Sequence, residues 1–94
     1  MPRVERTVVL TNRMGLHARP STQLATLANR FKAEITITKD DLTVDAKSVL
    51  ELLMLAAECG SELQICGEGS DAKEAVHAIA ELIESRFGEL DVDR

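Results

Sequence analysis

The stretch Gly15-Leu16-His17-Ala18-Arg19-Pro20-Ser21 carries the residue types best suited to chemistry in this chain. An imidazole nitrogen is a nucleophile when the ring is neutral, and an unperturbed histidine titrates at about pH 6.5. His17 therefore offers a free lone pair near neutrality. Pro20 belongs in the first turn of a helix, where its missing N–H costs nothing. That places His17 at the N-cap or beside it. Unpaired backbone N–H groups and the positive end of the helix dipole meet there, and both favour an anion on or next to the ring. Arg19, in the same turn, can lay a bidentate guanidinium on phosphoryl oxygens. Loop glycine, nucleophile, donor-rich turn and arginine together describe a phosphoryl acceptor. The plainer alternative is a capping histidine beside a surface arginine.

Other candidates carry less. Ser48 precedes an apolar run and can N-cap a second helix, where an added phosphate would find a favourable dipole but would also change the charge of a nearby surface. His77 reads as a surface histidine on the last helix. Cys59 precedes Gly60, and Cys66 alternates with Ile65 and should face away from the helices. Two Cys and two His spread over four elements have no ligand spacing, so no metal site is expected. Asp40, Asp41, Asp91 and Asp93 read as solvated turn and tail charges.

The elements that must position these groups follow from periodicity. Val4–Leu10 is rich in β-branched residues and ends at Thr11-Asn12-Arg13-Met14-Gly15, a turn signal. Pro20, Leu24, Leu27, Ala28 and Phe31 then make one apolar stripe on a helix. Glu34–Thr38 alternates cleanly, Lys39-Asp40-Asp41 turns, and Leu42–Asp45 returns. Val49–Glu58 predicts a helix ended by Gly60, and Glu62–Cys66 alternates again. Ala72, Ala75, Val76, Ile79, Ile83 and Phe87 give the longest helix, with Asp71 or Ser70 as N-cap and Gly88 as its stop. The order is βαββαβα, a two-layer α/β arrangement. Val49–Ala57 is apolar on more than one face, while a helix packed on a sheet buries only one. Some of Val49, Leu50 and Leu53 should therefore stay exposed as a partner-binding patch, the alternative being deeper burial or dimerisation.

Composition narrows the setting. With 94 residues and 45% hydrophobic content, the chain is one domain with a modest core, and an aliphatic one, since Phe31 and Phe87 are its only aromatic residues. A formal net charge of −5 argues against nucleic acid as partner. No segment reaches the roughly 18 apolar residues of a membrane span, and the first residues lack the apolar core of a secretory signal. Two Cys in such a chain read as reduced thiols, so a cytoplasmic setting is expected.

The run Thr11-Asn12-Arg13-Met14-Gly15-Leu16-His17-Ala18-Arg19-Pro20 resembles the active-site signature of the HPr family, histidine-containing phosphocarriers of the bacterial phosphoenolpyruvate-dependent phosphotransferase system. Ala46-Lys47-Ser48-Val49-Leu50 resembles the stretch where that family carries a regulatory serine, the target in some members of an HPr kinase. The resemblance covers essentially the whole chain. It implies an α+β open-faced sandwich, a four-stranded antiparallel sheet with three helices on one face. Residues 1–88 would form the single domain and 89–94 an acidic tail.

It further implies a monomeric, cofactor-free, stoichiometric carrier rather than an independent enzyme. His17 would accept the phosphoryl group on Nδ1 from Enzyme I, Arg19 would contact it, and an Enzyme IIA would receive it. Glu51 departs from the Gly or Lys common in the family. The run Ser48-Val49 with Leu52-Leu53-Met54-Leu55, and Phe87 with its acidic sequel, is more similar to NPr, the nitrogen-related paralogue. The alternative is therefore a regulatory binding protein, NPr-like or phosphorylated at Ser48, acting in nitrogen or carbon metabolism.

Overall fold

The computed structural model describes residues 2–89. Its elements are β1 (Arg3–Val9), α1 (Ala18–Ala28), β2 (Glu34–Lys39), β3 (Leu42–Asp45), α2 (Val49–Met54), β4 (Glu62–Glu68) and α3 (Ala72–Glu84), followed by a 3₁₀ turn over Arg86–Gly88. The strands form one sheet in the order β1-β4-β2-β3. All neighbours run antiparallel, with Val8 opposite Leu63, Ile37 opposite Ile65, and Ile37 opposite Val44. The fold is the α+β open-faced sandwich.

Alternation explains why only one face is roofed. Val8, Ile35, Ile37, Val44, Leu63 and Ile65 point inward and are buried with Leu24, Leu52, Val76, Ile79 and Ile83 from the helices. The intervening residues, Glu5, Thr7, Thr36, Thr38, Gln64 and Cys66, make the polar open face, which needs no cover. Cys66 and Cys59 are both free thiols.

Four features differ from the periodicity, the first being that α1 ends at Ala28 and leaves Phe31 beyond it. The second helix stops at Met54, short of the expected Glu58, because Ala56 takes a left-handed conformation at φ 50. The segment beyond it is held by tertiary bonds, with Leu55 O accepting from Lys39 Nζ at 3.3 Å and Ala57 O accepting from the Leu16 N–H at 2.9 Å. Asp71 stands at the N-cap position of α3 but makes no cap bond. Its carboxylate instead reaches across to the N–H groups of Lys32 (2.9 Å) and Ala33 (2.8 Å) and ties the start of α3 to the α1–β2 loop. Those bonds, the Lys32 N–H first, hold the Asp71 carboxyl below its ordinary value against a smaller opposing effect of burial. Finally, Phe87 is not on the last helix. The chain leaves α3 at Ser85 and reverses through Arg86 (φ 60), Phe87 (φ 57) and Gly88 (φ 74), while the Phe87 ring stays buried.

Candidate functional site: His17 at the start of α1

The loop from β1 to α1 is built around a buried amide. The pairing of β1 continues past its end, with the Leu10 N–H donating to Ser61 O (2.8 Å) and the Gly60 N–H to Leu10 O (2.7 Å). Asn12 is then fully enclosed, and its Nδ2 donates to Gly15 O at 2.8 Å. Gly15 sits at φ +69, and a Cβ built on it would fall 2.4 Å from Ala57 O. Only glycine permits that approach, and it lets the buried Leu16 bond to Ala57. His17 emerges from this anchored loop in an extended conformation (φ −96, ψ −166) as the N-cap of α1. The Ser21 N–H closes the first helical turn on His17 O at 3.0 Å.

The His17 side chain makes no capping bond, so the ring is not consumed by the role the plainer alternative gave it. Its side chain is 39% exposed, and the two nitrogens differ sharply. Nε2 is buried and lies 3.4 Å from Glu89 Oε2, long for a hydrogen bond. Nδ1 is left on the accessible side of the ring. The N–H groups of Ala18 and Arg19 precede the first intrahelical bond, Pro20 has none, and no acidic side chain occupies that turn. Arg19 is exposed, and no ion pair or side-chain hydrogen bond among the described residues engages its guanidinium. Nucleophile, free amides and arginine thus share one end of α1, in a field that favours an anion.

Ser48 caps α2, its Oγ accepting from the Glu51 N–H at 3.2 Å. The Glu51 carboxylate turns back to accept from the Asp45 N–H at 2.9 Å. Of the three residues expected in an apolar patch, Leu50 is 75% exposed and Leu53 is just exposed. Val49 is not part of it. Val49 and Leu52 lie three apart on the inward side of α2, and Val49 packs half-buried on the core. Met54, which had not been singled out, is 65% exposed in its stead, and Met14 in the His17 loop is exposed as well. His77 is exposed and pairs with Glu81 one turn on, a solvated surface contact.

Two residues at the site escaped the sequence reading. Asn12 reads in the sequence as part of a turn signal and of the signature run, with no role of its own, yet it is the buried post of the loop. Glu89, assigned to an acidic tail, brings its carboxylate to the His17 ring; residues 90–94 lie outside the described residues. Among the described residues, no three His, Cys, Asp or Glu side chains gather to hold a metal ion, and no helix is long and apolar enough to cross a membrane.

The described residues thus form a small α+β domain that holds a histidine at its surface, on a sheet roofed on one side only. Comparison with known proteins supplies the family. The model described as "PTS HPr component phosphorylation site" matches residues 4–85. Phosphocarrier protein NPr of Shewanella violacea is 45% identical over 89 residues, covering 95% of this chain and 98% of that protein. Phosphocarrier protein HPr of Neisseria meningitidis serogroup A is 38% identical, covering 92% and 97%. Among solved structures, HPr-C-His from Thermoanaerobacter tengcongensis superposes with a TM-score of 0.89 at 38% identity, covering 93% of this chain and 98% of that one. The chain belongs to the PTS HPr family. It is a phosphocarrier of the phosphotransferase system, a stoichiometric carrier and not an enzyme.

Proposed function

We propose that His17 is the phosphoryl acceptor, through Nδ1, and that the group arrives from phosphoenolpyruvate-charged Enzyme I and leaves to an Enzyme IIA. One observation carries the reading: Nε2 of the ring is buried, which leaves Nδ1 as the nitrogen open to a partner, on the residue that stands at the N-cap of α1. The Nδ1 lone pair attacks phosphorus, the N–P bond forms, and the bond from phosphorus to the donor atom breaks with its electron pair. Ala18 and Arg19 N–H groups and the Arg19 guanidinium receive the phosphoryl oxygens. The same steps in reverse deliver the group to the acceptor.

Leu50, Leu53 and Met54 supply the apolar surface on which both partners dock in turn, and docking through that surface favours a monomer. The carrier works in the cytoplasm, where Cys59 and Cys66 remain thiols. Regulation through Ser48 has weaker support. Its hydroxyl already caps α2 by accepting from the Glu51 N–H, and a phosphate there would add charge next to that acidic residue. Nitrogen-branch partners are supported by the identity to NPr.

Incubation with phosphoenolpyruvate and Enzyme I of either branch tests the proposal. Acid-labile, alkali-stable phosphate that disappears in His17→Ala is the expected result. Acid-stable phosphate on Ser48, formed with ATP and a kinase, with none on His17, would overturn it.

A further inference from the structure

We propose that Glu89 is a positioning residue for phosphotransfer: its carboxylate holds the proton of the His17 ring on Nε2 and so keeps the Nδ1 lone pair facing the incoming phosphorus. This rests on the acceptor role given to His17 above. Among the described residues, two buried polar atoms, His17 Nε2 and Glu89 Oε2, have no hydrogen-bond partner, and they face each other at 3.4 Å. Buried polar atoms of that kind are normally paired. Only one protonation state of a neutral ring pairs them. With the proton on Nε2 a donor meets an acceptor; with the proton on Nδ1 two lone pairs are pressed together away from water.

The carboxylate is itself placed rather than drifting. Its other oxygen, Oε1, lies 3.4 Å from Nδ2 of Asn12, the residue that also holds Gly15 O. The loop and the carboxylate therefore share one anchor. The backbone that delivers Glu89 is equally committed. Arg86 and Phe87 are non-glycine residues in the left-handed region, where side chains are disfavoured, and the reversal is pinned by the buried Phe87 ring and by the Glu89 N–H donating to Arg86 O at 2.9 Å. A surface tail would need none of this.

The consequence for the reaction follows from charge. When Nδ1 bonds to phosphorus and Nε2 keeps its proton, the ring becomes a cation. A carboxylate against Nε2 stabilises that cation in both the transition state and the phosphorylated carrier. No proton has to leave for the step to balance. The 3.4 Å separation leaves room to tighten as the charge develops.

The test uses the full chain and its Glu89→Ala and Glu89→Gln variants. The readouts are ¹H–¹⁵N spectra of the His17 ring and the kinetics of phosphorylation by Enzyme I with phosphoenolpyruvate. In the parent, the Nε2–H proton is expected to be directly observable near neutral pH, protected from exchange with water. Glu89→Ala should abolish that signal and lower kcat about tenfold with KM for the carrier unchanged. Glu89→Gln, whose amide oxygen still accepts the bond without the charge, should recover the signal and part of the rate. Unchanged kcat and an equally protected ring proton in Glu89→Ala would overturn the inference. So would a rise in KM alone, which would assign Glu89 to docking. A parent chain that takes no phosphate at all would instead overturn the role of His17, so the two failures are distinguishable.

Discussion

Replacing Gly15 by alanine probes how the His17 loop is held. Gly15 lies at φ +69, and an added Cβ would meet Ala57 O at 2.4 Å and Glu58 Cα at 2.9 Å, both backbone atoms that cannot swing aside. Three costs apply. A non-glycine residue in the left-handed region loses about 1–2 kcal/mol. Forcing an extra carbon against packed backbone costs about 1–3 kcal/mol. Relieving the clash by moving the loop outward breaks the Leu16 N–H bond to Ala57 O, a loss of about 1 kcal/mol. The costs overlap, because movement that relieves one incurs another, so a total of about 3–5 kcal/mol is expected. Against a domain stability of roughly 5–15 kcal/mol that is a severe loss, and for a chain of this size it lowers Tm by about 15 °C or more. Urea unfolding followed by circular dichroism measures it, with the slope m unchanged. A destabilisation below about 1 kcal/mol would refute the argument, since the loop would then not be pinned against the α2–β4 segment.

Arg19→Ala should slow phosphorylation by Enzyme I at least several-fold while leaving Tm within about 2 °C, because the side chain is exposed and has no described partner; a large loss of Tm would contradict this. Ser48→Ala should cost about 1 kcal/mol by urea unfolding, the usual worth of an N-cap, with phosphotransfer to His17 unchanged. Leu50→Ser combined with Met54→Ser should raise KM for Enzyme I without lowering stability, since both side chains are exposed; an unchanged KM would remove α2 from the docking surface. Asp71→Asn should destabilise most at neutral pH. The folded Asp71 carboxyl titrates below its ordinary value of 3.8, so its stabilisation is complete above that value and fades as pH falls through the lower folded one. The gap between parent and variant in urea midpoints should therefore shrink on acidification below about pH 4; a gap independent of pH would contradict the bonding to Lys32 and Ala33.

The parts of this molecule legible in its sequence are those governed by local rules. Alternation in Glu34–Thr38 and the stripe through Leu24 and Ala28 depend only on which residues face the core, and Ser48 caps α2 because a hydroxyl followed by an apolar run does so almost anywhere. The position of His17 at the mouth of α1 follows from Gly15 and Pro20 in the same way. What the sequence concealed is decided by contacts between distant segments. The apolar residues Leu55-Ala56-Ala57 have ample helix propensity, yet the helix ends at Met54 because the carbonyls of Leu55 and Ala57 are claimed by Lys39 and Leu16. Asp71 abandons its own helix for N–H groups 38 and 39 residues away. Glu89 resembled a solvated tail charge because nothing local announces that Arg86, Phe87 and Gly88 turn left-handed in succession. That reversal is paid by burial of Phe87, a tertiary event.

The most direct measurement is the attachment site of the phosphoryl group, read by ³¹P- and ¹⁵N-detected correlation spectra of the ¹⁵N-labelled carrier after charging with Enzyme I and phosphoenolpyruvate. Coupling of phosphorus to Nδ1 of His17, with Nε2 still bearing its proton, is the predicted outcome. Phosphorus on Nε2, or on any residue other than His17, would contradict the account.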